Sequence, residues 1–186
     1  MPNVEHVTTG KPKIGGHVWR APTGTTLPTD ATTALNSAFI DMGYIAEDGL
    51  TNASKIENTE IKAWGGTVVM NSMKSRTENL KGKFISAMNP EVQKMVHGDE
   101  NVTGTVDGTN GMTVTSNAKD LEEYSYVVDM IARGNVAHRV VIPSAKPIEI
   151  ADIVYKDDEA LGYDVTLGCT ADASGNAKYE YWKAQA

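Results

Sequence analysis

Between Tyr163 and Thr170 the chain alternates without a break: Tyr163, Val165, Leu167 and Cys169 fall on one side, and Asp164, Thr166, Gly168 and Thr170 on the other. A period of two marks a strand with one face buried and one face wet. The same period runs from Tyr124 to Ile131, where Tyr124, Tyr126, Val128 and Met130 interleave with Ser125, Val127, Asp129 and Ile131. Turn residues follow both segments. Arg133-Gly134-Asn135 leads back into Val136–Ile142, and the run from Asp172 to Asn176 leads into Lys178–Trp182. The second of these predicts a closing hairpin whose first strand is Tyr163–Thr170. Further strands are predicted over His17–Arg20, ended by Pro22, and over Thr67–Met73, with Val68 and Met70 on one face. Glu78–Ile85 is expected to partner the latter, and another strand runs from about Ile148 to Tyr155.

Helical signals are few. Asn89 can cap, Pro90 suits the first helical position, Glu91 favours the positive end of the dipole and Gly98 stops the helix. Its apolar stripe is Val92, Met95 and Val96, and a helix of about two turns is marginal alone, so it must lie against a sheet or a barrel mouth. A second short helix is predicted behind an N-cap at Asp30, because Leu35, Phe39 and Met42 recur at helical spacing, although Thr32, Thr33, Asn36 and Ser37 weaken it. Asp99–Asn117, rich in Gly, Asn and Thr, reads as a loop or weak hairpin. Residues 1–16 show no apolar periodicity and are expected to form a flexible N-terminal segment ahead of one domain, 17–186. The fold class is mainly β with one or two short α-helices, an antiparallel β-sandwich or barrel.

One stretch does not fit a tight β domain. From Gly43 to Ser72 an acidic turn, Glu47-Asp48-Gly49, opens a long polar segment that closes on Lys62-Ala63-Trp64-Gly65-Gly66. Loops beyond about 12 to 15 residues are uncommon in compact domains and usually functional or disordered. The segment from about 47 to 66 is therefore expected to be an arm loop that contacts another subunit. Its contact residues are Glu47, Asp48, Leu50, Lys55, Glu57, Glu60, Lys62 and Trp64, with Trp64 as the anchor and the glycines as its two ends.

The remaining bounds exclude most other functions. A single cysteine, Cys169, rules out an internal disulfide framework. The start Met-Pro-Asn-Val-Glu-His carries no secretory pattern, and no window approaches the roughly 20 apolar residues of a membrane span, so a soluble protein made in a reducing cytoplasm, with no membrane anchor, is expected. The sequons at Asn52 and Asn101 are then chance matches. A formal charge of −7 argues against a nucleic-acid reader, and the one basic group, Lys74, Arg76, Lys81 and Lys83, reads as a solvated strand face. His6, His17, His97 and His138 show no metal-ligand spacing among themselves or with Cys169, which sits on an apolar strand face. Adjacent acids in a strand point to opposite faces and cannot act as an acid/base pair. The expectation is no catalytic residue, no cofactor and no metal, with a calcium clip at Asp157-Asp158-Glu159 left open.

Taken together, GYIAEDGLTNASKIENTEIKAWGGTVV, AMNPEVQKMVHGDENV and ASGNAKYEYW resemble the major tail protein, or tail tube protein, of long-tailed phages infecting actinobacteria, in order and spacing from Trp19 to Trp182. That resemblance implies two packed β-sheets with a flanking helix, and subunits that form stacked hexameric rings around a DNA channel. The implied partners are further copies of the chain, the tape measure, tip and terminator proteins of the tail, and double-stranded DNA passing without specific binding. The implied location is the virion tail, assembled in the bacterial cytoplasm. Two departures from the resemblance are expected: no immunoglobulin-like domain of the kind that family members often carry, and His97 in the place of an aromatic residue after the helix.

Two function classes follow from the residues. The first is a self-assembling structural protein, which suits a β-rich domain with an acidic balance and a long polar arm. The second is a carbohydrate-binding or adhesive β-sandwich in which Trp64, Trp182 and neighbouring tyrosines form a stacking platform, an arrangement that the low aromatic content of 6% disfavours.

Overall fold

The computed structural model describes residues 4–14 and 17–185. Its strands are β1 (Lys11–Pro12), β2 (Val18–Pro22), β3 (Ile40–Asp41), β4 (Ile45–Lys62), β5 (Val68–Phe84), β6 (Val102–Thr103), β7 (Thr113–Val114), β8 (Tyr124–Ala132), β9 (Val136–Ile150), β10 (Tyr163–Thr170) and β11 (Tyr179–Ala184), and the α-helix is α1 (Pro90–His97). Among the described residues nine strands form one antiparallel sheet in the order β3-β2-β8-β9-β10-β5-β4, with β1 on β8 and β11 on β9. Residues 1–3 and 15–16 of the expected flexible segment lie outside the described residues. Within 4–14, Lys13 N–H donates to Asp129 O at 3.1 Å and Arg133 N–H to Thr8 Oγ1 at 2.8 Å.

The sheet is curled. Val18 of β2 and Leu80 and Phe84 of β5 belong to strands far apart in the sheet order, yet share one core cluster with Tyr126, Ile142, Val165 and Leu167. Ile45–Leu50 at one end of the sheet order also line one cavity with Val128–Met130 of β8, so the sheet bends around that core. Val92, Met95 and Val96 of α1 enter the same cluster, as the stripe predicted. The helix is held at its ends as expected: Asn89 Oδ1 accepts from Glu91 N–H at 2.9 Å, and Gly98, at φ +93°, donates to Lys94 O at 2.8 Å. The weak hairpin within Asp99–Asn117 is β6 and β7.

The other face of the sheet carries a second cluster, Ala21, Phe39, Val127 and Val141, covered by Leu27, Leu35 and Ala38. This cover is not the predicted helix. Asp30 Oδ1 accepts from the N–H groups of both Thr32 and Thr33 at 2.6 Å, and Arg139 Nη1 draws on the carbonyls of Asp30 and Thr33 at 3.2 and 2.7 Å. Side chains and a guanidinium satisfy the backbone that a helix would have used, so the segment stays irregular. The apparent helical spacing splits between the clusters: Phe39 lies in the second and Met42 in the first.

Three strand expectations are also corrected. Thr67–Met73 and Glu78–Ile85 do not pair with each other; they are two parts of the single strand β5. The strand expected from Ile148 to Tyr155 is the end of β9, which stops at Ile150. Nor do Tyr163–Thr170 and Lys178–Trp182 close a hairpin. β9 is long enough to accept β10 along Ser144–Ile150 and β11 along Val136–Val141, both on the edge opposite β8. Local turn chemistry at Asp172–Asn176 is present, with Asp172 Oδ1 accepting from Ser174 N–H and Asn176 N–H at 2.9 and 3.0 Å, but it directs the chain along β9 rather than back onto β10.

Candidate assembly arm

The polar stretch is not a loop. β4 and β5 pair from Ile45 with Phe84 to Lys62 with Val68, and β10 accompanies β5 only as far as the pair Gly168 with Asn79. Beyond that point the two strands project as a ribbon with, among the described residues, no further strand on either edge. Ser54–Lys62 alone extends the ribbon by roughly 30 Å at about 3.3 Å per residue. The segment could be mistaken for a loop because β4 carries Asn, Thr, Ser, Lys and Glu on both sides, which leaves no alternation to detect.

Of the two glycine-marked ends, Gly49 does lie at the base, but Gly65-Gly66 is not where the chain returns. Ala63 to Thr67 makes the tip turn, closed by Ala63 N–H to Thr67 O at 2.8 Å and Gly66 N–H to Ala63 O at 2.9 Å, with Gly65 and Gly66 at φ +108° and +89°. Trp64 therefore stands at the far end of the arm, with a relative exposure of 107%, and anchors nothing within its own subunit. At the other end, Glu47, Asp48 and Gly49 lie in an irregularity of β4 between the pairs Ile45 with Phe84 and Leu50 with Gly82. Leu50 packs on the main core and fills the space over Gly82, where an added Cβ would come within 2.4 Å of it.

The structure thus divides the expected contact residues into two groups. Glu47, Asp48 and Leu50 are at the base, whereas Lys55, Glu57, Glu60, Lys62 and Trp64 are on the projecting part. Lys55 pairs with Glu57 at 3.0 Å and Lys62 with Glu60 at 3.6 Å, all four largely in solvent. The hydrogen bond and charge of Lys55 hold the Glu57 carboxyl below its ordinary range. Of the basic group, Arg76 Nη2 meets Glu78 at 2.8 Å and Lys81 Nζ meets Asp164 at 4.0 Å.

What the sequence reading missed is the apolar end of the ribbon. Ile61, Trp64, Val68, Val69, Met70 and Met73 are all exposed there. Ladder partners share a face, so Met73 with Asn58 and Val68 with Lys62 lie on one side, and Met70 with Ile61 on the other. Val68 and Met70 do not share a face as expected, because β5 carries an extra residue at Val69. The signal was present in the run Val68-Val69-Met70, but such a run looks like a buried strand until the fold shows that nothing covers it.

Among the described residues no three His, Cys, Asp or Glu side chains gather to hold a metal, the Asp157–Glu159 run included. No described helix is long and apolar enough to cross a membrane. Burial pushes the Cys169 thiol up to about 11, so it stays protonated at neutral pH. Trp64 and Trp182 do not form one platform: Trp182 lies on β11, stacked on His138 at 3.4 Å between ring centroids.

The fold is thus a curled antiparallel β-domain that projects a ribbon with apolar side chains exposed on both faces. The sequence matches the family described as phage tail tube protein over residues 12–185, and the chain belongs to that family. It is accordingly a structural component of the phage tail. A solved structure of the anti-feeding prophage cap, a tube-terminating cap, superposes with a TM-score of 0.45 at 8% identity, over 97% of this chain and 98% of that one. No curated protein matches the chain in sequence.

Proposed function

We propose that this chain is the repeating subunit of the tail tube of a long-tailed phage with an actinobacterial host. Copies assemble in the host cytoplasm into hexameric rings that stack around a lumen through which double-stranded DNA passes. The carrying observation is the distal ribbon, whose apolar side chains on both faces are exposed and, among the described residues, covered by no other part of the subunit. A lone two-stranded hairpin is marginal in water, and a contiguous apolar patch on a soluble protein marks an interaction site. A neighbouring subunit, in the same ring or the next, supplies the missing cover. An interface of this head-to-tail kind closes into a ring when its rotation permits.

The charge of −7 fits a channel that must not hold its cargo, since phosphate binding draws on clustered Lys and Arg. Acids facing the lumen act within a screening length of about 8 Å at physiological salt. Tape measure, tip and terminator proteins would meet the same ring surfaces at the inside and ends of the tube. Negative-stain microscopy and sedimentation of the purified protein over a range of concentration and salt test this reading. Rings and tubes are expected; a species that remains monomeric under every condition overturns it.

A further inference from the structure

We infer that Glu78 is the positioning residue of the arm, a buried carboxylate that holds the ribbon at one angle to the curled sheet. Glu78 is the first residue of β5 beyond the last ladder pair with β10, Asn79 with Gly168, so it sits where the ribbon loses lateral support. Its side chain is 7% exposed, although the strands continuing from it are in solvent. Three elements converge on it. From β4, Ser54 Oγ donates to Oε1 at 2.6 Å; from the ribbon side of β5, Arg76 Nε and Nη2 reach the same oxygen at 2.9 and 2.8 Å; from the segment before β11, Lys178 Nζ lies 3.7 Å from Oε2.

The linkage continues into the body. Lys178 Nζ meets Glu180 at 3.0 Å, Glu180 meets His138 Nε2 at 3.3 Å, and the His138 ring stacks on Trp182. Burial alone would raise the Glu78 carboxyl, but the hydrogen bonds from Ser54 and Arg76, with the nearby charge of Lys178, bring it below its ordinary value. Among the described residues Oε2 has no hydrogen-bond partner, so Lys178 is its only close compensation. Ser54 is the ladder partner of Glu78 and Arg76 lies on the same strand, so a ribbon that swings carries all three together and parts Glu78 from Lys178. That leaves the carboxylate short of its one partner from the body and makes swung states unfavourable. Holding an extended element in its docking orientation lowers the entropic cost of association.

Spin labels at Thr59→Cys on the ribbon and Lys81→Cys on the supported part of β5, in a Cys169→Ser background, read the angle directly. One narrow distance distribution is expected with Glu78 intact, a broader one in Glu78→Gln and Lys178→Met, and the broadest in Glu78→Leu. Circular dichroism and a cooperative melt confirm folding, and Glu78→Gln and Lys178→Met carry the test if Glu78→Leu does not fold. A distribution equally narrow in all folded variants overturns the inference. The consequence for assembly rests on the proposed role of the arm: Glu78→Gln should raise the critical concentration for tube growth roughly tenfold, with tube dimensions unchanged. Broadened distances with unaltered assembly would uphold the positioning role and instead sink the arm's role in assembly.

Discussion

At the scale of single residues, the fold depends on charges placed where a β core has no water. Arg139, 1% exposed, pairs through Nε and Nη2 with Asp129 at 2.6 and 3.0 Å, and through Nη1 pins the irregular cover of the second cluster. Arg20, equally buried, donates to Glu91 O at 3.1 Å, pairs with Asp99 and lies 3.6 Å above the Tyr124 ring, tying α1 to β2 and β8. Removing one member of such a pair strands the other, so Arg139→Met should cost about 3 to 5 kcal/mol in urea unfolding, and Arg139→Met with Asp129→Leu clearly less. These pairs were not legible in the sequence. Alternation tells inside from outside only when one face is wet, and here the cover over Val127 and Val141 buries the face that Asp129 and Arg139 share. The histidines add a pH dependence. Burial lowers both His97 and His138, the latter against the opposing pull of Glu180, so the unfolded chain takes up protons first as the pH falls. Stability is therefore full above about pH 6.5 and declines below it toward the folded-state values. The melting temperature should drop by about 1 to 3 °C between pH 7 and 5, and the His97→Gln, His138→Gln double variant should flatten that slope.

At the scale of elements, the arm and the helix show opposite limits of legibility. Helix α1 was readable because Asn89, Pro90, Glu91 and Gly98 each act locally, through a cap, a fixed φ, a dipole and a left-handed stop. The arm was readable as a projection but not as a ribbon. Its strands are wet on both faces, so the composition resembles a loop, and the pairing that makes it regular joins residues far apart, such as Lys55 with Thr77. Because the projecting part contributes little to either core cluster, replacing residues 54–78 with a two-residue Asn-Gly turn between the ladder partners Ala53 and Asn79 should leave a cooperative melt within a few degrees of the parent, and a protein that no longer forms tubes. Loss of folding would show that the ribbon belongs to the domain's stability instead. Trp64→Ala makes the same point with one side chain: at full exposure it should change unfolding free energy by less than about 0.5 kcal/mol while weakening tube growth in a sedimentation assay.

At the scale of the whole molecule, the β class was visible from period-two alternation, whereas the topology was not. The long strand β9 serves β8, β10 and β11 at once, an arrangement that no local turn encodes, which is why a hairpin was expected where two strands in fact share one edge. The outcome is a curled body with an apolar-ended ribbon, and the central claim is that the ribbon's cover comes from another copy. Amide hydrogen exchange in the free subunit and in assembled tubes tests that claim most directly. Amides of residues 54–77 should exchange quickly in the free subunit, where a two-stranded ribbon frays, and slow by tenfold or more (on the order of 1.4 kcal/mol) on assembly. Tubes in which these amides exchange as fast as in the free subunit, while other surfaces become protected, would contradict it.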